Sequence, residues 1–231
     1  MIGNTLDNIY DLKIRAKLKA LPKNSERVFR IVVDNPFTVI NLSPIVEMVK
    51  EYATPMIQIQ DSFGEVNLSD RAFLNKAETL FSLFRDQCTF WEIGNEVNGN
   101  WCSENIAERV KKVLELVPEG HKTALTLFWE PNLMSWYKAN PIQTDYVFIS
   151  FYPDGLELFR HWEWEEKVNF ISSLNPKAFI GIGEFGFEEW KGNLSWRLKE
   201  TLRKELESLK VDHPRWIGGG FYWDGQKEGW R

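Results

Sequence analysis

The sequence predicts one α/β domain over residues 1–231, built as a compact (β/α)8 barrel of the TIM type. Short runs rich in β-branched and aromatic residues alternate with segments of helical periodicity, which is typical of parallel βα units. Polar or aromatic residues stand at the end of nearly every run. That pattern favours a ring of loops around one site at the C-terminal face of a barrel, over the single switch point of an open sheet.

Seven strand-like runs follow one another along the chain. They span residues 28–34, 55–61, 89–96, 122–129, 145–152, 178–185 and 219–225. An eighth strand is needed at the N-terminus, where only Met1 and Ile2 precede a loop-like stretch, so we expect a very short or missing first strand. Either that strand is very short, or a second chain covers the open edge, or the sequence is a trimmed piece. The chain ends at Arg231, so we expect no closing C-terminal helix.

Helical segments separate the runs. Apolar residues repeat at helical spacing in two of them, namely Phe73, Ala77, Leu80, Phe81 and Phe84, and then Ile106, Val110, Val113, Leu114 and Val117. The second segment ends before Pro118, and Ser43 with Pro44 is typical of a helix start. Residues 7–21 and 198–209 carry further helical patterns.

The composition excludes several classes of function. A net charge of −5 with scattered basic residues gives no patch for nucleic acid or for an anionic membrane surface, so a neutral substrate is favoured. No glycine-rich phosphate-binding motif follows a strand. Cys88 and Cys102 are the two cysteines, and no Cys/His cluster has metal-ligand spacing, so neither a metal nor a cofactor is expected.

The sequence contains no apolar segment of the length that a membrane span needs, and its first residues lack the apolar region of a signal peptide. The cytoplasm is therefore the expected location by default, and secretion is the alternative if a signal has been trimmed away. The oligomeric state stays open.

Two glutamates stand at the ends of strand-like runs. Glu96 and Glu184 each follow small or polar residues that leave room around a carboxylate. All strands of a barrel end at one face, so both side chains are expected at one site. Two facing carboxyl groups are the catalytic residues that glycoside hydrolysis needs. One acts as acid and base, and the other acts as nucleophile or base. The alternative is that each glutamate is a solvated strand end.

These glutamates belong to a set of motifs that resembles clan A glycoside hydrolases, most closely the cellulase- and mannanase-like enzymes of family 5. The motifs are IGNTLD (2–7), FRIVVD (29–34), FWEIGNE (90–96), SFYP (150–153), FIGIGEFG (179–186) and FYWDG (221–225). They follow the family's order over almost the whole chain. The resemblance implies cleavage of a β-linked oligosaccharide or polysaccharide of glucan or mannan type, and short connections between the runs favour endo action.

The resemblance also implies a retaining double displacement, with Glu96 as acid/base and Glu184 as nucleophile. The two carboxyl groups are then expected about 5 to 5.5 Å apart. Contacts with Arg30 and Tyr152 are expected to depress the pKa of Glu184, while the charge of Glu184 raises the pKa of Glu96.

Supporting roles follow from the same resemblance. Asn95 is expected to bind the sugar 2-hydroxyl, and Trp223 to stack beneath the sugar next to the scissile bond. Tyr152 would hold the nucleophile, and Arg30 would keep it ionised. Ser150 departs from the family, which commonly has a histidine at this place.

Neighbouring residues complete the expectations. Glu92 precedes Glu96 by four residues and is expected to be a buried structural carboxylate paired with a base. Trp101 and Trp129 are candidate substrate platforms, with packing as the alternative for each. The runner-up function is a non-catalytic carbohydrate-binding barrel, which would keep the tryptophans but tolerate loss of a carboxylate.

Overall fold

The strands of the barrel are all parallel in a computed structural model of the chain. The structure describes residues 2–6, 18, 27–33, 36–65, 67–152, 161–185, 201, 204–206 and 208–222. The strands are β1 (Ile2–Leu6), β2 (Val28–Val32), β3 (Thr54–Gln58), β4 (Phe90–Gly94), β5 (Lys122–Phe128), β6 (Tyr146–Phe151), β7 (Phe179–Phe185), β8 (Trp216–Gly218) and β9 (Gly220–Tyr222). Each of the seven predicted runs overlaps one of these strands.

The sheet closes on itself. Strands β1 to β7 pair in sequence order, β7 pairs with both β8 and β9, and β9 pairs back with β1. The segments β8 and β9 together fill the eighth strand position, because both lie along β7 and are separated by Gly219, whose φ of 79° is left-handed. The predicted TIM-type (β/α)8 fold is therefore confirmed.

The first strand differs from the expectation. It is not missing: Ile2–Leu6 forms five residues of strand with partners on both sides. The stretch from Gly3 onward, expected to be a loop, is part of this strand. Gly and Asn have poor strand propensity, and here the pairing with β2 and β9 overrides it. The expected absence of a closing helix concerns residues after 222, which lie outside the described residues.

Helices lie between the strands and cover the outside of the barrel. They are α1 (Pro36–Lys50), α2 (Ser62–Glu65), α3 (Asp70–Phe84), α4 (Ile106–Leu116), α5 (Leu133–Ala139) and α6 (His161–Leu174). The predicted apolar stripe of α3 is buried as expected, as are Ile106, Val110 and Val113 of α4. Within the described residues, no helix is long and apolar enough to cross a membrane.

The predicted helix start at Ser43 and Pro44 is wrong. Helix α1 begins at Pro36 and continues through Pro44. Proline removes one helical hydrogen bond, but Pro44 lies on the exposed side, where water can satisfy the freed carbonyl. The predicted helices at 7–21 and 198–209 fall largely outside the described residues, although Leu18 and Leu206 are buried.

The interior of the barrel has an apolar floor and a polar layer above it. The floor consists of Val28, Met56, Phe90, Ala124, Phe148 and Phe221. Side chains two residues further along a strand face the same way. On β2 to β6 those residues are Arg30, Gln58, Glu92, Thr126 and Ser150, all buried. The floor thus excludes water below, and the polar layer faces the carboxyl ends of the strands.

Candidate active site

Arg30 connects three strands at the centre of the polar layer. Its guanidinium is 1% exposed and donates three hydrogen bonds. Nε lies 2.5 Å from Glu92 Oε2, Nη1 lies 2.8 Å from Glu184 Oε2, and Nη2 lies 2.6 Å from Asn95 Oδ1. One planar cation thereby fixes groups on β2, β4 and β7, as the fork geometry of arginine allows.

Glu92 is a buried carboxylate with a base beside it, as the sequence predicted. Besides the bond from Arg30, it accepts a hydrogen bond from the Thr126 hydroxyl. Its second oxygen is therefore also occupied. Both oxygens accept hydrogen bonds inside the protein, so Glu92 has a structural role and holds Arg30 in position.

Glu96 lies just past β4 in a strained backbone conformation. Its φ of 47° makes it the one non-glycine residue with a left-handed backbone in the described part of the chain. This conformation costs about 1 to 2 kcal/mol for an L-residue and is common at functional sites. Two backbone bonds hold the turn: Gly99 N donates to Glu96 O at 2.8 Å, and Val97 N donates to Thr126 O at 3.2 Å.

Asn98 stabilises the same turn and was missed in the sequence. Its Oδ1 accepts from Phe128 N at 2.6 Å, and its Nδ2 donates to Phe128 O at 2.9 Å and to Asn132 Oδ1 at 3.0 Å. The side chain therefore pairs with the end of β5 as another strand would. A second asparagine two residues after a strand-terminal Asn-Glu pair was the available signal.

Glu184 is held by its side chain and by its backbone. Its carboxylate accepts from Arg30 and from the Tyr152 hydroxyl, and its backbone N–H donates to Ser150 Oγ at 3.3 Å. Burial and the nearby carboxylates raise the pKa of Tyr152 well above its usual value, so this hydroxyl stays a donor.

The two glutamates have shifted pKa values, and one shift differs from the expectation. Burial, followed by the charge of Glu184, raises the pKa of Glu96 to about 8. Burial also raises the pKa of Glu184 to about 7, although Arg30 opposes the rise. The expected depression of the Glu184 pKa is therefore wrong, because desolvation outweighs one cation. The expected rise for Glu96 has the predicted direction.

Asn95 lies between the central arginine and a further carboxylate. Its Oδ1 accepts from Arg30, and its Nδ2 donates to Asp61 Oδ1 at 3.0 Å. Asp61 follows β3. The amide orientation of Asn95 is thus fixed by a donor on one side and an acceptor on the other.

The candidate platforms lie in different surroundings. Trp101 is partly buried, and its ring packs edge-on against Phe128 with centroids 5.0 Å apart; Phe128 in turn lies 6.1 Å from Tyr152. Trp129 belongs to an aromatic cluster with Trp164, and Lys167 Nζ lies 3.9 Å from its ring centroid. That ammonium covers one face of Trp129.

Trp223, the third predicted aromatic contact, lies outside the described residues. Among the residues that are described, no group of three His, Cys, Asp or Glu side chains could hold a metal ion.

Comparison with solved structures finds the same fold in several glycosidases. A thermostable mutant of a xylanase from Cellvibrio japonicus matches with a TM-score of 0.66 at 13% identity, over 99% of this chain and 88% of that one. An endo-β-mannanase/endo-β-glucanase from Prevotella bryantii matches with a TM-score of 0.62 at 14% identity, over 96% of this chain and 44% of that one. A calcium-binding mutant of β-glucuronidase 2 from Bacteroides uniformis matches with a TM-score of 0.58 at 16% identity, over 96% of this chain and 30% of that one.

Neither protein-family models nor curated protein sequences match the chain. This chain spans most of the xylanase but less than half of the other two proteins. At these identities the likeness concerns the fold, and it agrees with the parallel barrel described above.

Proposed function

We propose that the protein is a retaining glycoside hydrolase that cleaves β-linked glycans, with Glu96 as acid/base and Glu184 as nucleophile. The observation that carries this proposal is a pair of buried, interacting carboxyl groups in unequal surroundings. Glu184 accepts from a cation and a phenol, whereas Glu96 has a higher pKa and one oxygen, Oε1, that has no hydrogen-bond partner among the described residues. Unequal surroundings are what divide the acid and nucleophile roles between two glutamates.

The first chemical step uses both groups. Arg30 favours the ionised form of Glu184, and the Tyr152 hydroxyl orients it; in that form the carboxylate attacks the anomeric carbon. The glycosidic C–O bond breaks, and protonated Glu96 gives its proton to the leaving oxygen. Glu96 Oε1 has no hydrogen-bond partner among the described residues, which leaves it available for that oxygen.

The second step reverses the role of Glu96. Once the glycosyl ester forms, Glu184 no longer carries a negative charge. Since that charge is a cause of the raised pKa of Glu96, the pKa of Glu96 then falls. The ionised Glu96 takes a proton from water as the water oxygen attacks the anomeric carbon, and the bond to Glu184 breaks to release its carboxylate. Each of the two displacements inverts the anomeric carbon, so the overall result is retention.

The substrate proposed is an uncharged β-glycan of glucan or mannan type, cleaved by endo action. In the described part of the site, the carboxyl groups of Asp61, Glu92, Glu96 and Glu184 lie around the cation of Arg30 and act on one another. An excess of negative charge disfavours an anionic sugar. The likeness of the barrel to a xylanase and to an endo-β-mannanase/endo-β-glucanase is consistent with this class.

The proposal is tested by a panel of β-linked polysaccharides offered to the wild type, Glu184→Gln and Glu108→Gln. Glu184→Gln keeps the shape and removes the nucleophile, so turnover is expected to fall by at least about 10³-fold while glycan binding persists. Glu108 is an exposed residue of α4 paired with Lys111, and its variant should match the wild type. Undiminished hydrolysis by Glu184→Gln would refute the assignment, and binding without hydrolysis by the wild type would favour a carbohydrate-binding barrel.

A further inference from the structure

Asp61 brings a further carboxylate into the proposed active site from the segment after β3. Its Oδ1 accepts a hydrogen bond from Asn95 Nδ2 at 3.0 Å. Burial is the main cause of the raised pKa values of Glu96 and Glu184, and the charge of Asp61 adds to both. The proposed double displacement gives Asp61 no role, although this residue lies among the groups that carry it out.

The backbone after β3 leaves the Asp61 side chain available to the site. Asp61 immediately precedes helix α2, where an aspartate side chain commonly accepts an N–H of the first turn. Here the N–H of Gly64 donates at 3.1 Å to the backbone oxygen of Asp61. The carboxylate binds Asn95 instead, and Asp61 is only partly buried, so part of its surface is accessible to a ligand.

The amide of Asn95 keeps one donor beside Asp61. An asparagine amide has one acceptor oxygen and two N–H donors. Arg30 Nη2 donates to Oδ1 at 2.6 Å, and one N–H of Nδ2 is donated to Asp61. Asn95 is 4% exposed, and within the described part of the chain Nδ2 forms no second hydrogen bond. Its remaining N–H is therefore a donor fixed in orientation and available to a substrate.

Oδ2 of Asp61 is the matching acceptor. Among the described residues, only Oδ1 of this carboxylate accepts a hydrogen bond from another side chain. A donor on Asn95 and an acceptor on Asp61 therefore lie next to each other. A hydroxyl group fits such a pair, because its oxygen can accept from the first while its proton is donated to the second.

The position of this pair beside Glu184 indicates which sugar hydroxyl it contacts. Arg30 binds Glu184 Oε2 through Nη1 at 2.8 Å and Asn95 Oδ1 through Nη2 at 2.6 Å. The Asn95 amide is therefore close to the proposed nucleophile. Glu184 attacks the anomeric carbon, and the 2-hydroxyl is the only ring hydroxyl on a carbon adjacent to that one.

We propose that Asp61 is a specificity-determining residue whose Oδ2 accepts a hydrogen bond from the sugar 2-hydroxyl, while Asn95 donates to the same hydroxyl. This inference rests on the proposed glycosidase function. It restricts the substrate to glycans with an unsubstituted 2-hydroxyl on the sugar whose bond is cleaved. A 2-deoxy sugar leaves both groups unpaired, and an acetamido nitrogen can donate to Asp61 but cannot accept from Asn95.

The kinetic test uses 4-nitrophenyl β-glycosides of the sugar that the wild type cleaves, with and without the 2-hydroxyl. Asp61→Ala should lose about tenfold or more in kcat/KM on the hydroxyl substrate and little on the 2-deoxy substrate, because only the first loses a hydrogen bond to a charged acceptor. Effects of the Asp61 charge on Glu96 and Glu184 apply to both substrates and cancel in the ratio. An unchanged ratio of the two rates would overturn the proposal.

Two further variants make this test specific. Asp61→Asn keeps the shape of the side chain and should lose the same preference, because the amide oxygen that pairs with Asn95 leaves an NH2 group toward the hydroxyl; it also serves if the alanine variant does not fold. Asp145→Ala is the matched control. Asp145 likewise accepts from a neighbouring strand, at 2.8 Å from Thr123 N, but it lies before β6 at the other end of the barrel. It should keep the wild-type ratio.

A double variant separates direct contact from an effect on Asn95. Direct contact predicts that Asp61→Ala lowers the preference for the 2-hydroxyl further when it is added to Asn95→Ala. No further loss in this background would overturn the proposal, because Asp61 would then act only through Asn95.

A binding measurement does not depend on turnover. In calorimetric titrations, Glu184→Gln protein should bind the hydroxyl glycoside more tightly than its 2-deoxy analogue, and addition of Asp61→Asn should remove most of that difference. An undiminished difference would overturn the role of Asp61. Absence of cleavage of any β-glycoside by the wild type would instead overturn the proposed function, so the two failures are distinguishable.

Discussion

At the scale of single residues, the site depends on Arg30. Its charge and its hydrogen bond to Glu184 oppose the effect of burial on that carboxyl group, whose pKa is nonetheless raised to about 7. Removing the cation would leave desolvation and the neighbouring carboxylates unopposed. The proposed nucleophile would then ionise at still higher pH.

Arg30→Met is therefore expected to move the acidic limb of the kcat/KM pH profile upward. Arg30→Lys should move it less, because lysine keeps the positive charge, although one ammonium cannot reach all three acceptors. Arg109→Met is the control, since Arg109 is also buried but pairs with Asp70 on α3, 2.7 Å away. An unmoved acidic limb in a folded Arg30→Lys or Arg30→Met protein would mean that Arg30 only packs the strands.

Glu96 allows a complementary test at the same scale. Glu96→Ala removes the proton donor and the base, so hydrolysis of an unactivated glycan should fall by about 10² to 10⁴-fold. A dinitrophenyl glycoside should still form the glycosyl-enzyme, and added azide should restore turnover by replacing water as the nucleophile. A β-glycosyl azide detected by chromatography is the expected product; no response to azide would argue against Glu96 as acid/base.

At the scale of elements, the turn after β4 matters as much as the strand. Asn98 binds both backbone groups of Phe128 and so attaches this turn to the end of β5. The attachment holds Glu96 in its left-handed conformation. Relaxation of that backbone would carry the carboxyl group of Glu96 away from Glu184.

Asn98→Ala should lower the free energy of unfolding by about 2 to 4 kcal/mol, because it leaves buried groups unpaired, and should also reduce kcat. Asn175→Ala is the control: Asn175 donates to Ile142 O and Thr144 O, away from the glutamates. Chemical denaturation and kinetics together separate the effects. A kcat loss in Asn98→Ala no larger than in Asn175→Ala would contradict the role of the turn.

The elements also reveal what local sequence patterns can predict. The strand at Phe90–Gly94 and the helix at Ile106–Leu116 were predictable because their periodicity and end signals are local. The first strand was not, since its Gly and Asn residues become strand only through pairing with β2 and β9. The passage of helix α1 through Pro44 was not predicted either; its exposed position lets water satisfy the carbonyl that loses its helical hydrogen bond.

At the scale of the whole molecule, the barrel buries two carboxyl groups, and burial disfavours their ionised form. The pKa values of Glu184 and Glu96 rise from their ordinary 4.5 to about 7 and about 8. Between pH 4.5 and 8 the folded protein therefore holds protons that the unfolded chain has lost. Their contribution to stability is fully present below pH 4.5 and is lost as pH rises through these two values.

Glu96→Gln is expected to stabilise the fold at pH 8.5 and to leave it unchanged at pH 4.5, because glutamine resembles the neutral acid. Each pH unit between the pKa of Glu96 in the unfolded chain and its pKa in the folded protein corresponds to about 1.4 kcal/mol of unfolding free energy. A gain of a few kcal/mol is therefore the upper limit. Thermal unfolding at both pH values measures it. Glu108→Gln should not gain stability at pH 8.5, since Lys111 lowers the pKa of Glu108. Equal melting temperatures of Glu96→Gln and wild type at pH 8.5 would refute the claim that a buried negative charge on Glu96 destabilises the folded protein.

By itself, the sequence determined the alternation of strands and helices, and it pointed to Asn95, Glu96, Tyr152 and Glu184 as strand-end residues that converge on one face. Periodicity and the common direction of parallel strands are sufficient for that much. The tertiary structure alone decided the three bonds of Arg30, the strained φ of Glu96 and the raised pKa of Glu184. These properties depend on distances and desolvation among residues from different strands, and closure of the barrel is what brings those residues together.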